Sequence, residues 1–108
     1  MIFYESETKS DALRKAIVDP IWSETEKKTL NEILKFVDIE EENAATIASD
    51  EWQKKPTNLK PYPKNVFRGK WVNDQSTYTN AGQKYMIEDA GSGYRIGKCY
   101  PEPDDEQN

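Results

Sequence analysis

Read for the spacing of its apolar positions, the chain divides near residue 53 into a helical first half and a strand-like second half. The sharpest signal lies between Ser23 and Val37. Ser23 and Glu26 fit the capping box S-x-x-E, in which a hydroxyl and a carboxylate reciprocally satisfy amides left over at a helix start. Leu30, Ile33, Leu34 and Val37 then fall at i, i+3, i+4 and i+7, so the spacing predicts a helix from Glu24 to about Val37. Upstream, Leu13, Ala16 and Ile17 share one helical face behind Ser10 as N-cap, and Pro20 ends that helix. Ile2, Phe3 and Tyr4 form a short apolar run, compatible with a short strand or a tucked terminus.

Beyond Val37 the stripe breaks, because the next positions due to be apolar are Glu40 and Glu41. Asp38 with Glu41 repeats the cap pattern, and Ala44, Ala45, Ala48 and Trp52 share a face, so a third helix is expected from about Glu40 to Gln53. After Gln53, the prolines Pro56, Pro61 and Pro63 exclude helix and disfavour a central strand, leaving an extended connector over 54–64.

From Asn65 onward the period falls towards two, and Gly and Asn/Asp clusters recur at short intervals. Strands are expected over 66–72, 77–79, 84–88 and 94–100, with turns at 73–76, 80–82 and 89–93, as an antiparallel meander. The resulting expectation is an α+β fold: two or three N-terminal helices packed against a small C-terminal antiparallel sheet of three to four strands. It forms a single domain over 1–100, with the helical part at about 10–53, the connector at 54–64 and the meander at 65–100. Residues 101–108 hold no apolar side chain and several acids, the composition of a disordered acidic tail.

Composition narrows the classes. At 108 residues the chain has room for one core, and its twelve aromatics set it apart from disordered chains. A lone Cys99 allows no internal disulfide and points to a reducing, cytoplasmic setting. No apolar stretch approaches the roughly 20 residues needed to span a bilayer, and the N-terminus does not resemble a signal peptide, so no membrane partner is expected.

Candidate chemistry is sparse. With no histidine, imidazole-based catalysis and the usual zinc sites are ruled out. Gly91-Ser92-Gly93 followed by Gly97 has neither dinucleotide nor P-loop spacing and reads as a hairpin turn. Cys99, beside Lys98, reads as a half-buried structural residue rather than a nucleophile. The acid clusters Glu40-Glu41-Glu42 and Asp104-Asp105-Glu106 match no calcium loop and read as solvated or dipole-favouring charge. No catalytic residue, no metal ligand and no cofactor is assigned.

Charge supplies the one functional lead. From Gln53 to Trp71 the chain carries five lysines and one arginine and no acid, between flanks whose acids outnumber bases 13 to 6 and 7 to 3. Lys54, Lys55, Lys60, Tyr62, Lys64, Phe67, Arg68, Lys70 and Trp71 are therefore the candidate partner or nucleic-acid contact set: cations spaced to track phosphates, aromatics able to stack on bases. Against that reading, the lysines can equally neutralise the acidic first half by lying across it, and this intramolecular role is favoured.

The expected function is that of a small non-enzymatic, intracellular binding or regulatory protein, of inhibitor or adaptor type, acting through a protein–protein interface, with a nucleic-acid-handling enzyme as one candidate partner. Single-stranded nucleic-acid binding through 53–71 is the alternative, and a small carboxylate-dependent enzyme the third. Deleting 101–108 is expected to change stability by less than about 0.5 kcal/mol, because the segment has nothing apolar to bury. Denaturant midpoints of the full and shortened chains check this.

Overall fold

The capping box forms as its spacing requires. The Ser23 hydroxyl accepts from the Glu26 amide at 3.1 Å, and the Glu26 carboxylate accepts from the Ser23 amide at 2.8 Å. From this start a helix runs unbroken across the position where a boundary is expected. In the computed structural model, which describes residues 1–69 and 75–99, the elements are β1 (Ile2–Glu5), α1 (Lys9–Ile17), α2 (Glu24–Ala48), α3 (Asp50–Lys54), β2 (Phe67–Arg68), β3 (Gln75–Asn80), β4 (Gln83–Asp89) and β5 (Gly93–Cys99). Lys70, Trp71, the end of the strand expected over 66–72, the start of the turn expected at 73–76, Tyr100 and the segment 101–108 lie outside the described residues.

The α+β expectation holds, with a larger sheet than expected. Five antiparallel strands pair in the order β1-β5-β4-β3-β2. The additional strand is the N-terminal run: β1 joins the outer edge of β5 with Ile2 opposite Ile96 and Tyr4 opposite Tyr94. Side chains fix it there. The Tyr4 hydroxyl donates to Asp19 Oδ2 at 2.7 Å and accepts from the Trp22 indole N–H at 3.0 Å, tying β1 to the link between α1 and α2. Gly93 permits the approach, because a Cβ there would sit 2.2 Å from the Tyr4 carbonyl oxygen.

Three further expectations are corrected. Thr8, not Ser10, is the N-cap of α1, its side chain accepting from the Asp11 amide. No third helix starts at Glu40; α2 continues to Ala48, and only the five-residue α3 comes after it, capped by Ser49. β3 and β4 are longer than expected, since Gln75 and Asn80 pair with Glu88 and Gln83 at the two ends of the hairpin.

Both helices cover one face of the sheet, α1 against β1 and β5, α2 against β3. The inward residues of the strands alternate as the pleat demands, and Tyr78, Tyr85, Ile87 and Ile96 are fully buried beneath Leu13, Leu30, Ile33 and Val37. The opposite sheet face carries Thr77, Thr79, Lys84, Glu88 and Arg95, as in an antiparallel sheet with one solvated side.

The β3–β4 turn is a two-residue one, with Ala81 at φ 51° and Gly82 at φ 79°. This is type I′ geometry, natural for glycine and unfavourable for alanine. Ser23→Ala is expected to lower stability by about 1 kcal/mol through loss of the cap. Ala81→Asn is expected to raise it by about 0.5–1 kcal/mol, because asparagine tolerates the left-handed conformation better. Urea midpoints of both variants provide the check.

Candidate functional site

The apolar stripe of α2 breaks at Glu40 and Glu41 because the face continues while its environment changes. Positions 37, 40, 41, 44 and 47 keep the helical spacing, and Val37, Glu40, Glu41, Ala44 and Ile47 all line one cleft of about 370 Å³. Tyr62 of the connector, Tyr94 of β5, Arg68 of β2 and Lys9 and Asn43 complete it. Glu40 and Glu41 can stand on the inward face because each carboxylate has partners there.

Glu41 acts as a remote cap for α1. Its carboxylate accepts from the Ser10 amide at 3.2 Å and from the Ser10 hydroxyl at 2.6 Å, satisfying an amide at the positive end of that helix. Glu40 joins three elements: Oε1 accepts from the Tyr78 hydroxyl at 2.8 Å, and Oε2 lies 2.7 Å from Arg68 Nη1. The same Tyr78 oxygen accepts from Lys9 Nζ at 3.1 Å, and Ser76 Oγ lies 3.4 Å from that nitrogen. The Lys9 ammonium also sits 5.5 Å from the Tyr78 ring centre.

This arrangement sets the protonation behaviour. Desolvation lowers the pKa of Lys9, aided by Arg68 and opposed by Glu40, Glu41 and Asp89. Burial pushes the Tyr78 hydroxyl far above the ordinary tyrosine value, with the Glu40 charge and hydrogen bond adding to it. Tyr4 is pushed up to about 12, first by burial and then by Asp19. Burial also pushes the Cys99 thiol up, against the lowering effect of Lys84.

The expected contact set does not converge here. Tyr62 and Arg68 line the cleft, Tyr62 stacking on Phe36 with ring centres 4.7 Å apart. Lys60 flanks the cleft: its backbone N–H and C=O are both held by the Asn43 side-chain amide, at 2.9 and 3.0 Å, and its ammonium pairs with Glu42. Lys54, Lys55 and Lys64 are exposed. Phe67 is 71% exposed and, as the neighbour of Arg68 along a strand, points to the other side of the sheet. Lys70 and Trp71 lie outside the described residues.

Sequence reasoning missed Lys9, Glu40, Glu41, Asn43, Tyr78 and Tyr94. One signal was available, since Glu40 and Glu41 fall in phase with the apolar stripe and so on the buried side of a continuous helix. Comparison with known proteins finds no matching family model, no matching curated protein and no matching solved structure. Among the described residues no helix is long and apolar enough to cross a membrane.

The raised tyrosines fix the sign of the alkaline response. Above the ordinary value of 10.0 the unfolded chain releases protons that folded Tyr4 and Tyr78 retain, so their stabilising effect is complete below pH 10 and declines as pH rises past it. The denaturant midpoint is expected to fall from pH 10 to 12, and Tyr78→Phe to flatten that fall. Glu40→Ala, which leaves Arg68 and Tyr78 without their common acceptor, is expected to cost about 2 kcal/mol at pH 7, measured by urea unfolding.

Proposed function

We propose that the protein is a non-enzymatic binding and regulatory module, of adaptor or inhibitor type, which docks on another protein through the cleft beside α2. The observation that carries this reading is the composition of the cleft. Apolar Val37, Ala44 and Ile47 lie between Tyr62, Tyr94 and Arg68, and Tyr62 and Ile47 remain 46% and 39% exposed. Tyrosine and arginine around a small apolar pocket are the residues that anchor protein interfaces, because they offer large, rigid contact area with a polar tip.

The charge pattern supports a protein over a nucleic acid. Two central cations of the basic run are held by acids of α2, Lys60 by Glu42 and Arg68 by Glu40. Their field is largely cancelled within the molecule, and Phe67 faces away from Tyr62, so cations and aromatics do not form one track. Exposed Lys54, Lys55 and Lys64 keep single-stranded nucleic acid as the competing reading.

Two measurements separate these readings. Affinity capture from the native host is expected to enrich one protein, and Ile47→Asp, folded by circular dichroism, to lose it. Single-stranded oligonucleotide at low salt is expected to show no binding by fluorescence anisotropy. Oligonucleotide binding that falls steeply with salt, and that is lost in a Lys54, Lys55, Lys64 to Gln triple variant, would overturn the proposal.

A further inference from the structure

Lys9 is set apart by the two hydroxyls that its amine meets, those of Tyr78 and Ser76. The ion pairs among the described residues engage Arg14, Lys35, Lys60, Arg68, Arg95 and Lys98 with carboxylates. Lys9 is half-buried, and no described carboxylate lies within ion-pair distance of it; its amine meets only the hydroxyl oxygens of Tyr78 and Ser76. The nearby acids are otherwise engaged, Glu40 by Tyr78 and Arg68, Glu41 by Ser10. Lys9 lines the cleft with Glu40, Glu41 and Arg68 on its charged side and Ile47, Tyr62 and Tyr94 on its apolar and aromatic side.

We propose that Lys9 is a nucleophilic amine that reversibly captures the carbonyl group of a small aldehyde or ketone entering this cleft, as a Schiff base. A hydroxyl bonded to the amine and passing its own proton to a carboxylate is a relay suited to this condensation: Lys9 Nζ to Tyr78 at 3.1 Å, Tyr78 to Glu40 at 2.8 Å. An amine kept from carboxylates and partly withdrawn from water is the kind that reacts at neutral pH, and the lowered pKa of Lys9 agrees with this placement. A neutral carbonyl compound is the ligand class that fits, because the charges of Glu40, Glu41 and Asp89, felt at Lys9 from beyond ion-pair distance, disfavour an anion, while Arg68 disfavours a cation.

The chemistry balances without a further reagent. The Nζ lone pair attacks the carbonyl carbon, a C–N bond forms and the π electrons move to oxygen. The nitrogen loses a proton to the Tyr78 oxygen as Tyr78 hands its own to Glu40, and the relay returns a proton to the new alkoxide, giving a carbinolamine. The nitrogen lone pair then forms C=N as the C–O bond breaks, the carbinolamine N–H proton passing through Tyr78 and Glu40 to the departing oxygen, which leaves as water. One carbonyl and one amine become one imine and one water, and hydrolysis reverses the step. This reactivity requires no protein partner and so goes beyond the docking proposal.

The test is reductive trapping. Benzaldehyde with sodium cyanoborohydride at pH 7 converts each imine to a stable benzylamine, and peptide mass spectrometry locates it. Lys9 is expected to be labelled at least tenfold faster than exposed Lys64, and that preference to vanish in urea. Ile47→Trp, which fills the cleft, is expected to suppress Lys9 labelling and leave Lys64 unchanged. Tyr78→Phe, checked for folding by circular dichroism, is expected to slow Lys9 about tenfold; if it does not fold, Glu40→Gln makes the same test. Equal labelling of Lys9 and Lys64 in the native protein, or Lys9 labelling untouched by Ile47→Trp, would refute the assignment. Loss of protein docking with intact labelling, or the reverse, separates this proposal from the preceding one.

Discussion

The placement of both helices on the sheet depends on one buried hydroxyl, that of Tyr78. Its ring is fully buried in the middle of β3 and meets Phe36 of α2 edge-on, with centres 5.9 Å apart. Its oxygen accepts from Lys9 at the start of α1 and donates to Glu40 in the middle of α2. Hydrophobic burial holds helices to a sheet without fixing where along it they stop, whereas a hydrogen bond in low dielectric must be made or its loss is costly. The Tyr78 node therefore gives α1, over β1 and β5, and α2, over β3, a defined position on the sheet, and Glu40 extends it to Arg68 on the sheet edge.

The same requirement explains which parts of the molecule the sequence disclosed. The capping box at Ser23, the turn at Ala81-Gly82 and the antiparallel order of the C-terminal hairpins are written in residues close in sequence, and those readings match the structure apart from the longer β3 and β4. The α2 continuation was misread because an acid on an apolar stripe looks like an interruption when its partners, Ser10, Arg68 and Tyr78, are distant in sequence. The fifth strand stays open in the sequence, as a short strand or a tucked terminus, for a similar reason. What decides for a strand is the pairing of Ile2 to Glu5 with β5 and the reception of Tyr4 by Asp19 and Trp22, all distant in sequence.

For the candidate site, local charge was the visible quantity and pairing the hidden one. The basic run stands out in the sequence, yet Arg68 and Lys60 face the acids of α2 that the composition had set apart as a separate feature. The intramolecular role favoured for the run thus agrees with these two pairs, while Lys54, Lys55 and Lys64 remain exposed. Lys9 carried no signal at all, since one lysine among twelve is distinguished only by what folding brings beside it.

The Asn43 amide that holds the Lys60 backbone imitates one rung of a β-ladder, donating and accepting as a neighbouring strand would. Its consequence is a division of labour along the connector. The rung separates an arc over 55–59 from one over 61–65, so a length change in the first arc is a local matter of loop closure, which depends only weakly on length. Tyr62 lies two positions past the rung and seats on Phe36, so the wall of the cleft keeps its place relative to α2 however the first arc varies. Insertions and deletions before Lys60 are in this sense silent for the cleft, and those between Lys60 and Tyr62 are not.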